Sequence, residues 1–481
     1  MRLKILTGQL GRQNLLESTG ISLWTGKVKP CLTFYIEAVL KTLVLGSFLG
    51  LFLGLFFYAE QSHASQVIGR FTLGGYLATE QINLPTSLAS RNDVETLSGR
   101  AYLKINDWGG AKNEFVTDLR DKNDFFGNVD KQNLRLTAAN DFQVHQLSVL
   151  LPMGKLFTRL GRFPVNEAGA VSDGAELGAQ VTHSTQAALF GGLNPRVPGQ
   201  KYYVFNNNAQ VYGGYLVYQP PSPGWDKSFY FSNAVVVEKV GNETDRNYWF
   251  ESLTYQWSLR SRVLILSYLD FVPNTYLQNG SLQWQQALTE HWSANTSLLS
   301  VDVIEYARLQ GLRSLLPSSP YHEGSESLRY SFSNQFWSEM RFISGQRLAD
   351  GLNRTEYILA TDYSDFGGHK WDASVQLGYS NDFQSTDSFA KFGLGYFSRK
   401  WEFSIDEEFR NSVYSDGTYH PITSEISIAR TFRNDLFIIL GAQDIIDERV
   451  QIMAAFFKLT YRFGNSTLAP LRDGAPPRGR L

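Results

Sequence analysis

Seven histidines are the first place to look for chemistry: His63, His145, His183, His291, His322, His369 and His420. They are scattered, with no His-Glu-x-x-His, no His-x-His and no Gly-x-Ser-x-Gly. The spacings that build a zinc-protease site or a nucleophile elbow are therefore missing from the sequence. Among the expected strands, His183-Ser184 is the one pair that invites a hydrolase reading. Adjacent residues of a strand point to opposite faces, which argues against direct cooperation between them. His322-Glu323 reads as a solvated surface pair rather than a metal site. The single cysteine, Cys31, lies upstream of an apolar leader, so neither a disulfide framework nor a zinc-thiolate site is expected. No cofactor is expected either. A net charge of −2 offers no electrostatic case for nucleic acid.

Charges that recur at every second residue say more. Over 399–411, Glu402, Ser404, Asp406, Glu408 and Arg410 share one face, and over 370–381 so do Asp372, Ser374 and Gln376. Basic positions of the same phase include Arg100, Lys104, Arg159, Arg260, Arg262, Arg329, Arg341 and Arg347. If these faces line a wet pore, opposed acidic and basic strips orient polar solutes and set ion preference. The same charges can equally pair with neighbours and keep the lumen solvated. With both signs present, weak charge selectivity is expected. Arg341 and Arg347 against Glu402, Asp406 and Glu408 are the expected constriction, with Asp372 and Arg410 as further pore-lining candidates.

The elements that must carry these residues are strands. From Val67 to Phe463 the chain repeats 9 to 14 residues of apolar–polar alternation followed by a short polar or Gly/Asn/Asp-rich turn. Leu97, Gly99, Ala101, Leu103 and Ile105 fall on one face, with Thr96, Ser98, Arg100, Tyr102, Lys104 and Asn106 on the other. Period two makes each run a strand with one apolar and one wet side. A strict count gives 22 candidates, one of them over 326–337, and 18 to 22 strands fit the length at about 9–11 residues per membrane crossing. Connections alternate between short, as at Arg260-Ser261 and Glu290-His291, and long, as at 194–207 and 309–325. The long ones would lie outside, and one could fold into the lumen. Soluble sandwiches and propellers also alternate. Outward faces as apolar as Trp371-Ala373-Val375-Leu377-Tyr379, and the need to close so many edges, favour an all-β, antiparallel, up-and-down transmembrane barrel.

The N-terminus fits that destination. Thr42–Tyr58 is an apolar run preceded by Lys41 and followed by Ser62 and Ala64 at the −3 and −1 positions of a signal-peptide cleavage site. At about 1.5 Å per residue it spans roughly 25 Å, short of a ~30 Å hydrocarbon core. The expected division is 1–64 as extension and signal peptide, cleaved after Ala64, 65–463 as barrel, and 464–481 as a disordered periplasmic tail rich in Pro and Gly. Removing 1–64 leaves 38 basic and 43 acidic residues, a net charge of −5. The leader begins far from Met1, and initiation near Val39 is expected.

The last run, with Phe457, Leu459, Tyr461 and Phe463 on one face, resembles the closing strand of Gram-negative outer-membrane proteins. That resemblance implies recognition by the outer-membrane assembly machinery. Leu160-Gly161-Arg162, Asp173-Gly174-Ala175 and Leu189-Phe190-Gly191-Gly192 resemble the Gly-Arg…Asp-Gly-Ala stretch of alginate-export and similar porin-like barrels, over some 40 residues. Phe163-Pro164 departs from that family's polar residues there, so alginate specificity does not carry over. Arg162 and Asp173 can also simply pair across a loop. The expected function is a porin-like, outer-membrane channel for passive diffusion of small hydrophilic solutes, surrounded by outer-membrane lipid. The alternatives are a non-conducting display barrel that binds a partner through its long loops and, less favoured, a membrane hydrolase. Oligomeric state and solute identity are not legible.

Overall fold

The computed structural model describes residues 66–82, 90–108, 112–126, 140–195, 208–224, 226–272, 275–302, 321–366, 370–383, 385–398, 400–432 and 435–464. The leader, its cleavage point and the tail after Gly464 lie outside these residues, as do most of the two long connections. Strands dominate what is described, because the period-two pattern leaves every segment with one face to bury in an apolar medium.

Neighbouring strands pair antiparallel in chain order, and the sheet closes on itself. β1 (Gln66–Ile82) pairs with β2 (Ser90–Trp108) on one edge and with β23 (Val450–Gly464) on the other. The three-residue β20 (Gly417–Tyr419) continues β21 (Ile422–Phe432) across His420-Pro421, since both pair with β19 (Trp401–Tyr414). The closed sheet is thus a cylinder of 22 strands. Closure satisfies every edge, which a sheet surrounded by lipid requires.

Register fixes which face is which. Leu377, Leu359, Met340 and Leu328 lie directly opposite one another on successive strands, and all are exposed to the outside. On the outer wall, rings near the short turns form chains of contacts. One runs Tyr218–Phe229–Tyr255–Trp257, a second Trp292–Tyr330–Phe332–Phe336–Tyr363–Phe366, and Trp371 meets Tyr396. This is an aromatic girdle of the kind that sits at the head-group level of a bilayer. At the closing seam, the ring of Phe457 lies over Gly75. A Cβ there would stand 2.2 Å from the ring, so only glycine fits.

Two expectations about boundaries need correction. The strand expected over 326–337 starts earlier and stops earlier: β14 is Tyr321–Ser331, and β15 begins at Phe336. The turn at 332–335 lies inside the expected strand because Phe332 and Phe336, both belt residues, continue the apolar pattern through it. As a result His322-Glu323 is not in a loop. The two residues sit on β14 with opposite facing, and Glu323 accepts from Arg354 at 3.1 Å.

Candidate functional site

The inner wall is the surface on which solute chemistry can occur, and one of its elements leaves the cylinder. β5 (Leu156–Val165) pairs with β4 (Asn140–Met153) only as far as Leu147 opposite Arg162. β6 (Ala170–Gln180) pairs with β7 (Thr185–Leu193) only as far as Asp173 opposite Leu193. Beyond those points β5 and β6 pair with each other alone, through Phe163–Ser172 and Val165–Ala170, and a 3-10 turn at Asn166–Ala168 closes the tip.

The tip turns inward, onto the luminal face of β8 (Ala209–Tyr218), β9 (Ser228–Val240) and β10 (Glu243–Ser258). There Phe163, Val165 and Ala168 are fully buried against Val211, Ala234, Val236, Tyr248 and Phe250. Luminal positions of β7 to β10 are apolar because this hairpin, not water, covers them. The Tyr248 hydroxyl donates to the Ala168 carbonyl at 3.3 Å.

The bend has a local cause. Gly161, Gly174 and Gly192 lie in one register row across β5, β6 and β7. Gly161 has φ 110°, and a Cβ there would stand 2.2 Å from the Leu147 carbonyl oxygen. A side chain at this point would block the turn. Arg162 then secures the corner: its Nε and Nη2 donate to both oxygens of Asp173, and its Nη1 donates to the Val144 carbonyl of β4 at 2.9 Å. Both side chains are nearly buried. The Gly-Arg…Asp-Gly-Ala stretch is therefore a device that takes a hairpin out of the wall and ties it there.

Behind the tip runs a buried polar chain. Tyr215 donates to Glu176 at 2.5 Å, Gln186 donates to Tyr215 at 3.2 Å, and Arg159 pairs with Glu176 at 3.1 Å. Glu176 is fully buried, and these partners compensate its charge.

The charged positions expected from sequence fall on the inner wall, each within a local network. Arg341 bonds Glu339 of its own strand at 2.8 Å. Arg347, at the end of β15 (Phe336–Arg347), pairs with Asp350 of the next loop and lies 4.7 Å over the Phe383 ring. Asp372 on β17 (Trp371–Asn381) accepts from the Asp365 backbone N–H at 2.9 Å. Arg410 and Glu408 bond at 2.7 Å, with Asp387 3.9 Å from Arg410, and Asp406 is nearly buried. Glu402 opens the same luminal row of β19. Arg341 and Arg347 thus have acid partners other than Glu402, Asp406 and Glu408.

Taken by sector, charge is unevenly spread. β17 to β21 carry Asp372, Asp387, Glu402, Asp406, Glu408 and Glu425 inward against Lys391 and Arg410. The seam sector carries Arg462, Lys458, Arg70, Arg100, Lys104 and Arg120 inward against Glu80, Glu114 and Asp118. Within it Arg100 grips Asp118 at 2.8 and 2.7 Å, and Arg70 lies directly opposite Arg462.

Above the barrel the loops are tied as well. The His420 backbone N–H and ring both bond Glu448, which holds that carboxyl down at about 2. Bonds from Arg347 likewise keep Asp350 below the usual carboxylate range. At the short-turn end His183 and Ser184 line a hollow of about 340 Å³ with Gln180, Gln186 and Gln219, and no carboxylate borders it. Among the described residues no cluster of His, Cys, Asp and Glu could hold a metal ion.

No protein-family model and no curated protein matches the sequence. By structure the chain is similar to the translocation pore of the P pilus usher PapC, with 9% identity, 84% of this chain and 100% of that one covered, and a TM-score of 0.49. It is also similar to OccAB4 of Acinetobacter baumannii, at 8% identity, 84% and 100% coverage and a TM-score of 0.43. OpdQ of Pseudomonas aeruginosa follows at 9% identity, 83% and 98% coverage and a TM-score of 0.42.

Proposed function

We propose that this protein is an outer-membrane channel through which small hydrophilic solutes diffuse passively. The observation that carries the reading is the division of one closed sheet into two surfaces. The outside is apolar and belted with rings, while much of the inside is lined by paired charges, amides and hydroxyls. A cylinder of 22 strands encloses an aqueous lumen unless it is plugged. Among the described residues the β5–β6 tip is what narrows that lumen, from one wall, and the charged sectors of β17–β21 and β23–β3 stand clear of it. Even-stranded single-chain barrels are a bacterial outer-membrane architecture, which places the protein there.

Phe457, Leu459, Tyr461 and Phe463 lie on the lipid side of β23, beside the seam. We read them as the sequence offered to the assembly machinery, and the seam as the last joint to form. Passive diffusion of this kind calls for no cofactor. Arg341, Arg347, Asp372, Glu402, Asp406, Glu408 and Arg410 are proposed as pore-lining residues that set a local field. Proteoliposome swelling tests the function. Vesicles containing the protein should swell in iso-osmotic solutions of small sugars, more slowly as the sugar grows. Vesicles with inserted barrel that swell no faster than empty ones would refute it.

A further inference from the structure

The tip of the β5–β6 hairpin carries one ionisable side chain that no described residue holds. Glu167 is the middle residue of the 3-10 turn, between Asn166 and the buried Ala168. It is half-buried and, among the described residues, makes neither a hydrogen bond nor an ion pair. Glu176, Tyr215 and Tyr230 are among the groups that feel its charge. Arg159, the cation beside Glu176, is committed to that residue.

Two further facts give this carboxylate weight. It is fixed, because the residues on either side of the turn are anchored. Val165 and Ala168 are fully buried, Tyr248 bonds the Ala168 carbonyl, and Arg162–Asp173 pins the base of the hairpin. More negative charge also stands on the far wall. Counting strands around the cylinder, β21 lies half a circumference from β9, on which the tip is seated. That opposite sector is the acidic one, with Asp406 paired in register to Glu425. The tip and the acidic sector thus stand on opposite walls, and charges lining a wet passage set its ion preference.

We propose that Glu167 is the specificity-determining residue of the passage, a fixed carboxylate at the narrowing that favours solutes bearing a cationic group. The inference rests on the channel reading and adds a sign to it. The arginines at the seam do not cancel this preference, because they lie on a different sector from the gap between the tip and β21.

The test is the potassium-to-chloride permeability ratio of the full-length protein in planar bilayers under a KCl gradient. Wild type should give a ratio above one. Glu167→Gln should lower it, and Glu167→Lys should lower it further. Glu290→Gln, at a short turn, should leave it unchanged. Heat-dependent gel migration identifies variants that are folded barrels. In a Cys31→Ser background, Glu167→Cys should react with a cationic methanethiosulfonate and lose cation preference, whereas Ala168→Cys should be protected. Equal ratios for wild type and folded Glu167→Gln would overturn the proposal. So would Ala168→Cys reacting as fast as Glu167→Cys, since the tip would then not be held. An inserted wild type that passes no current overturns the channel reading itself and is distinguishable from both.

Discussion

Arg162 and Asp173 show how a residue pair can shape a lumen without touching a solute. The pair sits where β5 and β6 leave the wall, nearly buried, and Arg162 also satisfies a backbone carbonyl that β5 no longer reaches. Arg162→Ala leaves the Asp173 carboxylate buried and alone, a cost of about 3–5 kcal/mol. Denaturant midpoints should fall accordingly, and the tip should loosen. The Arg162→Met, Asp173→Leu double variant should cost clearly less, because no charge is stranded. Equal losses in both would mean that the pair does not act as a unit. The spacing of these residues was legible in sequence, and so was their pairing. The inward turn was not, because it depends on a glycine at φ 110° and on an apolar luminal wall formed by strands far along the chain. Glu167 carried no signal at all: a lone acid between Val165-Asn166 and Ala168-Gly169 belongs to no motif. Among the residues that were singled out, Arg341 offers a second test. Arg341→Gln frees Glu339 and should raise cation permeability modestly in the same recordings, whereas a fall would contradict its luminal placement.

Strands are where sequence and structure agree best. Period-two alternation located 22 runs, and each has its counterpart in the closed sheet, because lipid outside and water inside impose opposite chemistry on adjacent residues. The largest error, at 332–335, arose where that chemistry is uniform: at the girdle, rings are favoured on both sides of a turn. Neighbouring residues of β17 give a sharp test. Leu377→Arg puts a cation into lipid near mid-strand and should cost about 2–4 kcal/mol in urea unfolding from vesicles. Gln376→Arg places the same side chain in the lumen and should cost little. The reverse order would mean that the two walls are exchanged. The loops predict a pH effect. Because the folded Glu448 carboxyl titrates near 2 rather than 4.5, its bonds to His420 stabilise the folded loop above pH 4.5 and are lost as pH falls toward 2. The His420 amide resonance should titrate with that midpoint, and a midpoint at 4.5 would show that the clasp does not form.

For the molecule as a whole, the fold follows from closure. Neither β1 nor β23 could stand as an edge in lipid, so the two pair over 15 residue pairs and complete the cylinder. What fills the inside was open from sequence, where the two longest connections were the candidates to fold in. Among the described residues it is the short β5–β6 connection that does so, since β7–β10 supply a buried apolar luminal wall for it. Among the described residues, that gives a barrel constricted from one side, with acidic and basic sectors elsewhere on the inner wall. Single-channel recording in a planar bilayer is the most direct test of this account. Purified full-length protein should insert and give steady, unitary ohmic currents, and Phe163→Ala, which takes away the anchor of the tip, should enlarge them. Folded, inserted barrels that stay electrically silent in both forms would contradict it.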